Sequence, residues 1–379
     1  MKNLEKILVT GGCGFIGSHL VDRLIEDEYF VRVLDNLNPQ VHGKNQNKPE
    51  YINSKAEYIF GDIREPELVK TAIKDIDIVF NLAAAVGVGQ SMYQIKKYID
   101  VNTHGTSNLL DVIINNENSI KKIIVASSMS IYGEGSYYCE NENKEVFPPL
   151  RLIEDLKKHQ WEVRCPDCNQ VLKPIPTPED KPLYSNSIYA QTKRHQEEIT
   201  LLIGETYGIP SVALRFFNVY GSRQALSNPY TGVCAIFSSR ILNNNNPIIF
   251  EDGKQTRDFI HISDIVDALK LSMKKSNANY NYYNVGTGNP ISILEIAKLL
   301  INKMHKDLKP RINNQFRKGD IRHCYADISK IKKGIDFQPK FQFENGVDTM
   351  IKWVKSQSGV KDTLDKALEE LNKKGLTID

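Results

Sequence analysis

Several absences narrow the field before any motif is considered. The 49 lysines and arginines nearly balance the 46 aspartates and glutamates. No strong field therefore favours DNA or an anionic membrane, and neither nucleic acid nor membrane is expected as a partner. Nowhere do about 18 apolar residues run together, so no segment reads as a transmembrane helix. The opening MKNLEKILVT passes straight into a strand-like segment with no signal-peptide pattern, which makes the cytoplasm the expected compartment. Cysteine is scarce. The six residues at 13, 139, 165, 168, 234 and 324 are expected as reduced thiols or metal ligands, because that compartment opposes stable disulfides. No internal repeat is visible.

What is present is an alternation of strand and helix signals. Short apolar runs occur at 6–10, 30–35, 57–60, 76–82 and 121–127, with helically spaced stretches such as 19–26, 65–73 and 98–114 between them. Strands apolar on both faces and separated by helices predict a doubly wound parallel α/β sheet covered on both sides. The pattern breaks over 134–183, which is rich in proline and charge and carries three of the cysteines. Such a segment is either a functional insertion or a disordered loop. A helical period returns at 188–207, followed by a buried-looking strand at 211–216. The expected division is a first domain over 1–216 and a smaller mixed α/β cap over 217–359, with segments of the cap returning to the first domain. A C-terminal helix over 360–379 places Leu364, Leu368 and Leu371 on one face. That face packs either on its own domain or on a partner.

The stretch VTGGCGFIGSHL follows the first strand and opens the first helix. Gly11 permits a tight turn, Gly14 permits backbone to approach a pyrophosphate, and Gly17 lets the helix pack closely on the sheet. Phe15 and Ile16 lie between them at the helix N-terminus, which attracts phosphate. Asp35 ends the second strand where a carboxylate can bind both ribose hydroxyls. Asn36 follows it, with no nearby arginine or lysine for a 2′-phosphate, so NAD is favoured over NADP. Asp62 and Ile63 follow the third strand, and Leu82, Ala83 and Ala84 follow the fourth, at the strand ends where such sheets bind ligands. Asp62 either contacts adenine or caps the next helix.

In SIYAQTKRHQEE, Tyr189 and Lys193 stand at i and i+4, on one helix face. A phenol is too weak an acid to act as a base near neutrality unless neighbouring positive charge stabilises its anion. Ser127 and Ser128, ending the fifth strand, carry hydroxyls able to bond a substrate alcohol.

Together these motifs resemble the extended short-chain dehydrogenase/reductase superfamily, in particular its nucleotide-sugar epimerases and dehydratases. DVNTHGT at 100–106, LRFFNVYG at 214–221, RDFIHISDIVDA at 257–268, YNVGTG at 283–288 and RKGDIRHCYAD at 317–327 extend the likeness over nearly the whole chain. The resemblance implies a Rossmann-type fold with tightly bound NAD, a nucleotide-sugar substrate and a homodimer. It implies Ser128, Tyr189 and Lys193 as the catalytic set, and Asn102 and Phe216 as further cofactor neighbours. Met129, Ser130, Asn218, Arg257 and Arg317 fall on the substrate side, the arginines holding the diphosphate. Without the resemblance, each arginine is an ordinary ion-pairing residue.

A dehydratase of this family carries Asp-Glu directly after its catalytic Thr, where this chain has Met129 and Ser130. Neither can serve as an acid of suitable pKa, which disfavours dehydration. What remains is transient oxidation, rotation of a keto sugar and hydride return, that is, 4-epimerisation. The stretch 83–106, followed by the cysteine-bearing insertion, resembles the dTDP-L-rhamnose 4-epimerase group, and the finer assignment is what that resemblance implies. A dehydrogenase or decarboxylase with the same triad, and a non-catalytic NAD or sugar-nucleotide sensor, stand as alternatives.

Cys165-Pro-Asp-Cys168 is a knuckle sequence. Relatives implied by the resemblance pair it with an upstream Cys-x-x-His, whereas this chain keeps Cys139 and has Glu142 at the histidine position. Three thiolates with a carboxylate or water complete a tetrahedron, with His159 and Asp167 as other donors. Free thiols are the alternative. The insertion is expected to fold into a flap near the sugar site.

Overall fold

A computed structural model of the chain describes residues 5–43 and 46–378. Its centre is a seven-stranded sheet that includes β1 (Lys6–Thr10), β2 (Phe30–Asp35), β3 (Glu57–Phe60), β4 (Ile78–Asn81) and β5 (Lys122–Ser128). The strands Ser211–Phe216 and Asn281–Val285 complete it beyond β5, and every pairing is parallel. Successive residues of one strand enter different cores. Ile7 and Val9 join one apolar cluster and Leu8 joins another, which is why these runs lack a polar face. Helix α1 (Phe15–Glu26) and the helix Ile262–Lys274 cover the first face, and Pro66–Ile73 and Gly105–Asn115 the second. The strand order reverses between β1 and β4, and a crevice opens there at the strand C-termini.

The edge strand Asn281–Val285 arrives from beyond residue 217, pairing with Ser211–Phe216 from Asn281↔Val212 to Val285↔Phe216. A four-stranded sheet built on Thr256–His261 forms a second layer. It packs with the helices Val233–Leu242, Ile293–Lys303 and Phe343–Ser356 around a separate apolar core.

The insertion is ordered. Ser136–Cys139, Lys144–Val146 and Lys173–Ile175 form a three-stranded antiparallel sheet over a small core of its own. It is not a flap over the crevice. Ion pairs on two buried arginines hold it behind the loop 317–324: Arg322 meets Glu162 of the insertion at 2.5 Å and Asp252 at 2.7 Å, while Arg151 of the insertion meets the buried Glu251 at 2.7 Å. Taking a guanidinium out of water is costly unless carboxylates meet it there, which ties the insertion to this position. The C-terminal helix spans Leu364–Lys373 and packs on its own chain. Beyond it, Thr377–Ile378 pairs antiparallel with Phe316–Arg317.

Candidate active site

One crevice gathers the predicted glycine-turn residues, Asp35, the strand-end residues 62–63 and 82–84, Phe216 and the Ser128, Tyr189 and Lys193 set. Met129, Ser130, Asn218, Arg257 and Arg317 line it as well. Asn102 stands behind the wall, and residues 134–183 contribute nothing to the lining.

At the turn, Gly11 has φ +69°, where an added Cβ would also come within 3.0 Å of the Ala83 backbone. Gly17 is required for a reason other than the expected one. Its Cβ would lie 2.2 Å from the Gly11 oxygen and 2.7 Å from the Gly12 Cα, so at this position the helix meets the turn's own backbone. Gly14 is the N-cap of α1 and offers no side-chain cap. The first N–H groups of that helix therefore face the crevice free to meet an anion. Asp35 is held at the end of β2 by the N–H groups of Cys13 at 2.9 Å and Leu37 at 2.8 Å. Uncapped helix donors beside a fixed carboxylate fit a dinucleotide. Asp62 is not the cap of the following helix, whose N-cap is Glu65. Its carboxylate accepts from the Arg64 side chain and from Asn36 Nδ2 at 2.9 Å, and Arg64 above all holds it down at about 2.

Tyr189 and Lys193 lie in the first turns of the helix Ile188–Tyr207, which the Ser187 hydroxyl caps by accepting from Ala190 N. Ser128 ends β5. Its hydroxyl bonds the Tyr189 phenol and thereby favours the anion, while burial of the phenol pushes the other way and prevails, leaving the pKa above the ordinary value. Ser130 bonds the same Ser128 oxygen, through Oγ at 3.0 Å and N at 3.2 Å. Lys193 is only 4% exposed. Burial lowers its ammonium to about 7, with Glu197 opposing the shift. The site thus holds a phenol and an amine whose charged forms both lack solvent, so an incoming cation or anion shifts either strongly.

A buried polar chain fixes this lysine, and sequence reasoning did not find it. Lys193 donates to Gln196 at 2.8 Å, Gln196 to Thr106 at 2.6 Å, Asn81 to Thr106 at 3.1 Å and Thr10 to Asn81 at 2.8 Å. The Thr10 hydroxyl also accepts from the N–H groups of Leu82 and Ala83. Asn102 braces the neighbouring wall, bonding Ala85 through both N–H and C=O and donating to Thr192 at 3.0 Å. It sits in a π-helical segment, Ile99–His104, a local widening that often marks a functional position. The Asn81-to-Thr106 and Thr106-to-Gln196 links join residues far apart in sequence, so no local spacing could reveal them.

At the other end of the crevice the polar groups are differently engaged. Asn218 Oδ1 is buried with no partner, an acceptor aimed where a ligand donor fits. Arg257 donates to the carbonyls of Thr256, Arg322 and Ile321 at 2.8, 2.9 and 2.6 Å. Arg317 bonds Asp320 at 2.7 Å and lies 4.9 Å over the Phe250 ring. Leu364, Leu368 and Leu371 of the C-terminal helix complete the wall, so the apolar face of that helix is turned to the crevice of its own chain.

Residues 7–152 match the model of the NAD dependent epimerase/dehydratase family, and residues 171–350 match the model described as GDP-mannose 4,6 dehydratase. The chain is 32% identical to the dTDP-L-rhamnose 4-epimerase of Burkholderia thailandensis, covering 92% of this chain and 95% of that one. The chain belongs to the NAD-dependent epimerase/dehydratase family. Among solved members, the Thermotoga maritima UDP-glucose 4-epimerase bound to UDP-glucose superposes with a TM-score of 0.75 at 30% identity, over 92% of this chain and 98% of that one. The Bacillus cereus UDP-glucuronic acid 4-epimerase, solved with UDP-glucuronic acid and NAD, gives 0.74 at 26% identity, over 92% and 99%. Within this family the dehydratase-model match begins at residue 171, beyond Met129 and Ser130. It leaves the argument against dehydration untouched. Among the described residues no helix is long and apolar enough to cross a membrane.

Proposed function

We propose that this chain is an NAD-dependent nucleotide-sugar 4-epimerase working through a transient 4-keto sugar. The observation that carries the reading is the convergence of Ser128, Tyr189 and Lys193 on the crevice that also holds the glycine turn and Asp35. The α1 N-terminus, Asp35 and Lys193 are the residues to hold NAD, which when bound supplies reversible hydride acceptance. Asp62, Asn36 and Ile63 border its adenine end, while Ala83, Ala84 and Phe216 border the rest.

Each residue then has a task. Tyr189 takes the proton of the sugar hydroxyl while Ser128 bonds that oxygen, and Lys193 favours the phenolate by its charge. Tyr189 returns the proton once the keto sugar presents its other face. Arg257 and Arg317 bind the nucleotide diphosphate, Asn218 accepts from a donor group of the substrate, and Met129 supplies an apolar wall. Because Met129 and Ser130 cannot eliminate water, the path closes on the epimer. dTDP-L-rhamnose is the finer substrate assignment, supported by the 32% identity to the Burkholderia enzyme. The proposal includes a cytoplasmic homodimer in which residues 1–216 bind the cofactor and 217–359 chiefly the sugar nucleotide. The insertion's thiols, with a structural zinc on Cys139, Cys165 and Cys168, lie outside this chemistry.

Purified enzyme offered dTDP-, UDP- and GDP-hexoses without added cofactor tests the reading. A new 4-epimer, separated chromatographically, is expected from at least one. Carbon dioxide or net NADH in place of an epimer identifies a decarboxylase or dehydrogenase. No turnover of any sugar favours a sensor.

A further inference from the structure

The insertion brings Cys139 to the distant pair Cys165 and Cys168. The sulfurs of Cys139, Cys165 and Cys168 lie within 4.8 Å of one another, and Cys139 and Cys165 are 1% and 2% exposed. The pair Cys139–Cys168 stands 3.5 Å apart, far beyond a disulfide bond and close to the separation of two thiolates on one tetrahedral cation.

Two turns of the same build deliver these sulfurs. In the first, the N–H groups of Asn141 and Glu142 donate to the Cys139 sulfur; in the second, those of Asp167 and Cys168 donate to the Cys165 sulfur. Each turn then passes through an asparagine with positive φ, Asn143 at 48° and Asn169 at 59°. The chain returns one residue later, Cys139 pairing with Lys144 and Cys165 N–H donating to Gln170 O at 2.8 Å. The turns superpose position for position: a cysteine, two residues, a second donor, then a left-handed asparagine. The second donor is Cys168 in one turn and Glu142 in the other.

The insertion also needs a staple. Its separate core has six buried residues, Tyr137, Cys139, Val146, Val163, Cys165 and Leu172, and two of these are the cysteines themselves. A core so small does not hold a segment of this length by apolar burial alone.

We propose that the insertion carries a structural site for a divalent cation of the zinc class, bound by Cys139, Cys165 and Cys168 with Glu142 as the fourth ligand. Glu142 is exposed, and its position in the turn matches that of Cys168. Carboxylate oxygen is an accepted zinc donor beside thiolate. The site lies apart from the crevice and takes no part in the reaction. It fixes the strands that present Glu162 to Arg322, and so steadies the loop against which Arg257 is bonded.

Elemental analysis of the full chain, purified without chelator, tests the site directly. About one equivalent of zinc per chain is expected, lost on Cys168→Ser. Cobalt exchanged into the wild-type protein should give an intense thiolate-to-metal charge-transfer band. Competition against a chromogenic chelator should show Glu142→Ala binding about tenfold more weakly and Glu142→Cys more tightly. Should Cys168→Ser fail to fold, chelated wild-type protein replaces it, and restoring zinc should raise its melting temperature. Less than about a tenth of an equivalent of metal, or a disulfide among these cysteines, overturns the site. Unchanged affinity in Glu142→Ala overturns the assignment of the fourth ligand.

Discussion

On the floor of the crevice, Lys193 is fixed by a chain of buried side chains, Gln196, Thr106, Asn81 and Thr10, which ends on the backbone N–H groups of Leu82 and Ala83. On the opposite side, Arg257 is fixed by backbone carbonyls and Arg317 by a single carboxylate on a partly exposed loop. Of these side chains only that of Lys193 lines the crevice, so the chain behind it offers a ligand no donor. The arginine side has spare donors, since a guanidinium carries five and neither arginine uses all of them. A dry, preorganised floor suits a proton transfer common to many sugars. A side held by loops and by the C-terminal strand suits a choice among nucleotides and sugars. The comparison predicts that changes on the floor act on kcat and changes on the arginine side act on KM.

The largest effect expected is at Tyr189. Tyr189→Phe keeps the ring and removes the proton acceptor, so kcat should fall by about a thousandfold with KM changed little, measured by initial rates. A fall confined to KM would erase the distinction between the two sides. Arg257→Leu comes next, raising KM for the nucleotide sugar by about tenfold or more while kcat stays within about twofold.

The smallest effect is on stability, and its sign follows from Lys193. Its pKa lies near 7 in the fold against an ordinary 10.5. Between those values the unfolded chain binds more protons than the folded one, so stability rises with pH across that window. Below about pH 7 the cost of the buried ammonium is fully present. Lys193→Met removes this dependence. Cofactor-stripped variant should melt above cofactor-stripped wild type near pH 7, and the gap should close towards pH 10, measured by calorimetry. A gap that does not change with pH would mean that the ammonium is not the buried cost.

The two sides also differ in how much of them was legible. Gly11, Asp35, Ser128, Tyr189 and Lys193 each sit at a fixed offset from a strand end or helix start, so the fold's local geometry put them in reach of sequence reasoning. Gln196 shares the helix of Tyr189 and Lys193 but gains meaning only from Thr106 and Asn81, which approach it through the sheet. The edge strand Asn281–Val285 was expected only as an unspecified segment returning to the first domain, because its partner Ser211–Phe216 lies far earlier in the chain. The C-terminal helix was readable as an amphipathic face but not as a wall of the crevice, since nothing local says what an apolar face covers. The insertion was legible as a cysteine knuckle. Its place behind the arginine loop depends on Glu162 and Glu251 both meeting the buried Arg322, a cluster that no pattern announces.

The central claim, redox-neutral inversion on one floor with the hydride returned to its own substrate, has a direct test. Purified enzyme is incubated in D2O with a nucleotide sugar that it turns over, with no NAD added, and the product is read by NMR. The account predicts a 4-epimer that keeps the substrate's own hydrogen at C4. Deuterium at C4, or NADH released in step with product, would contradict it.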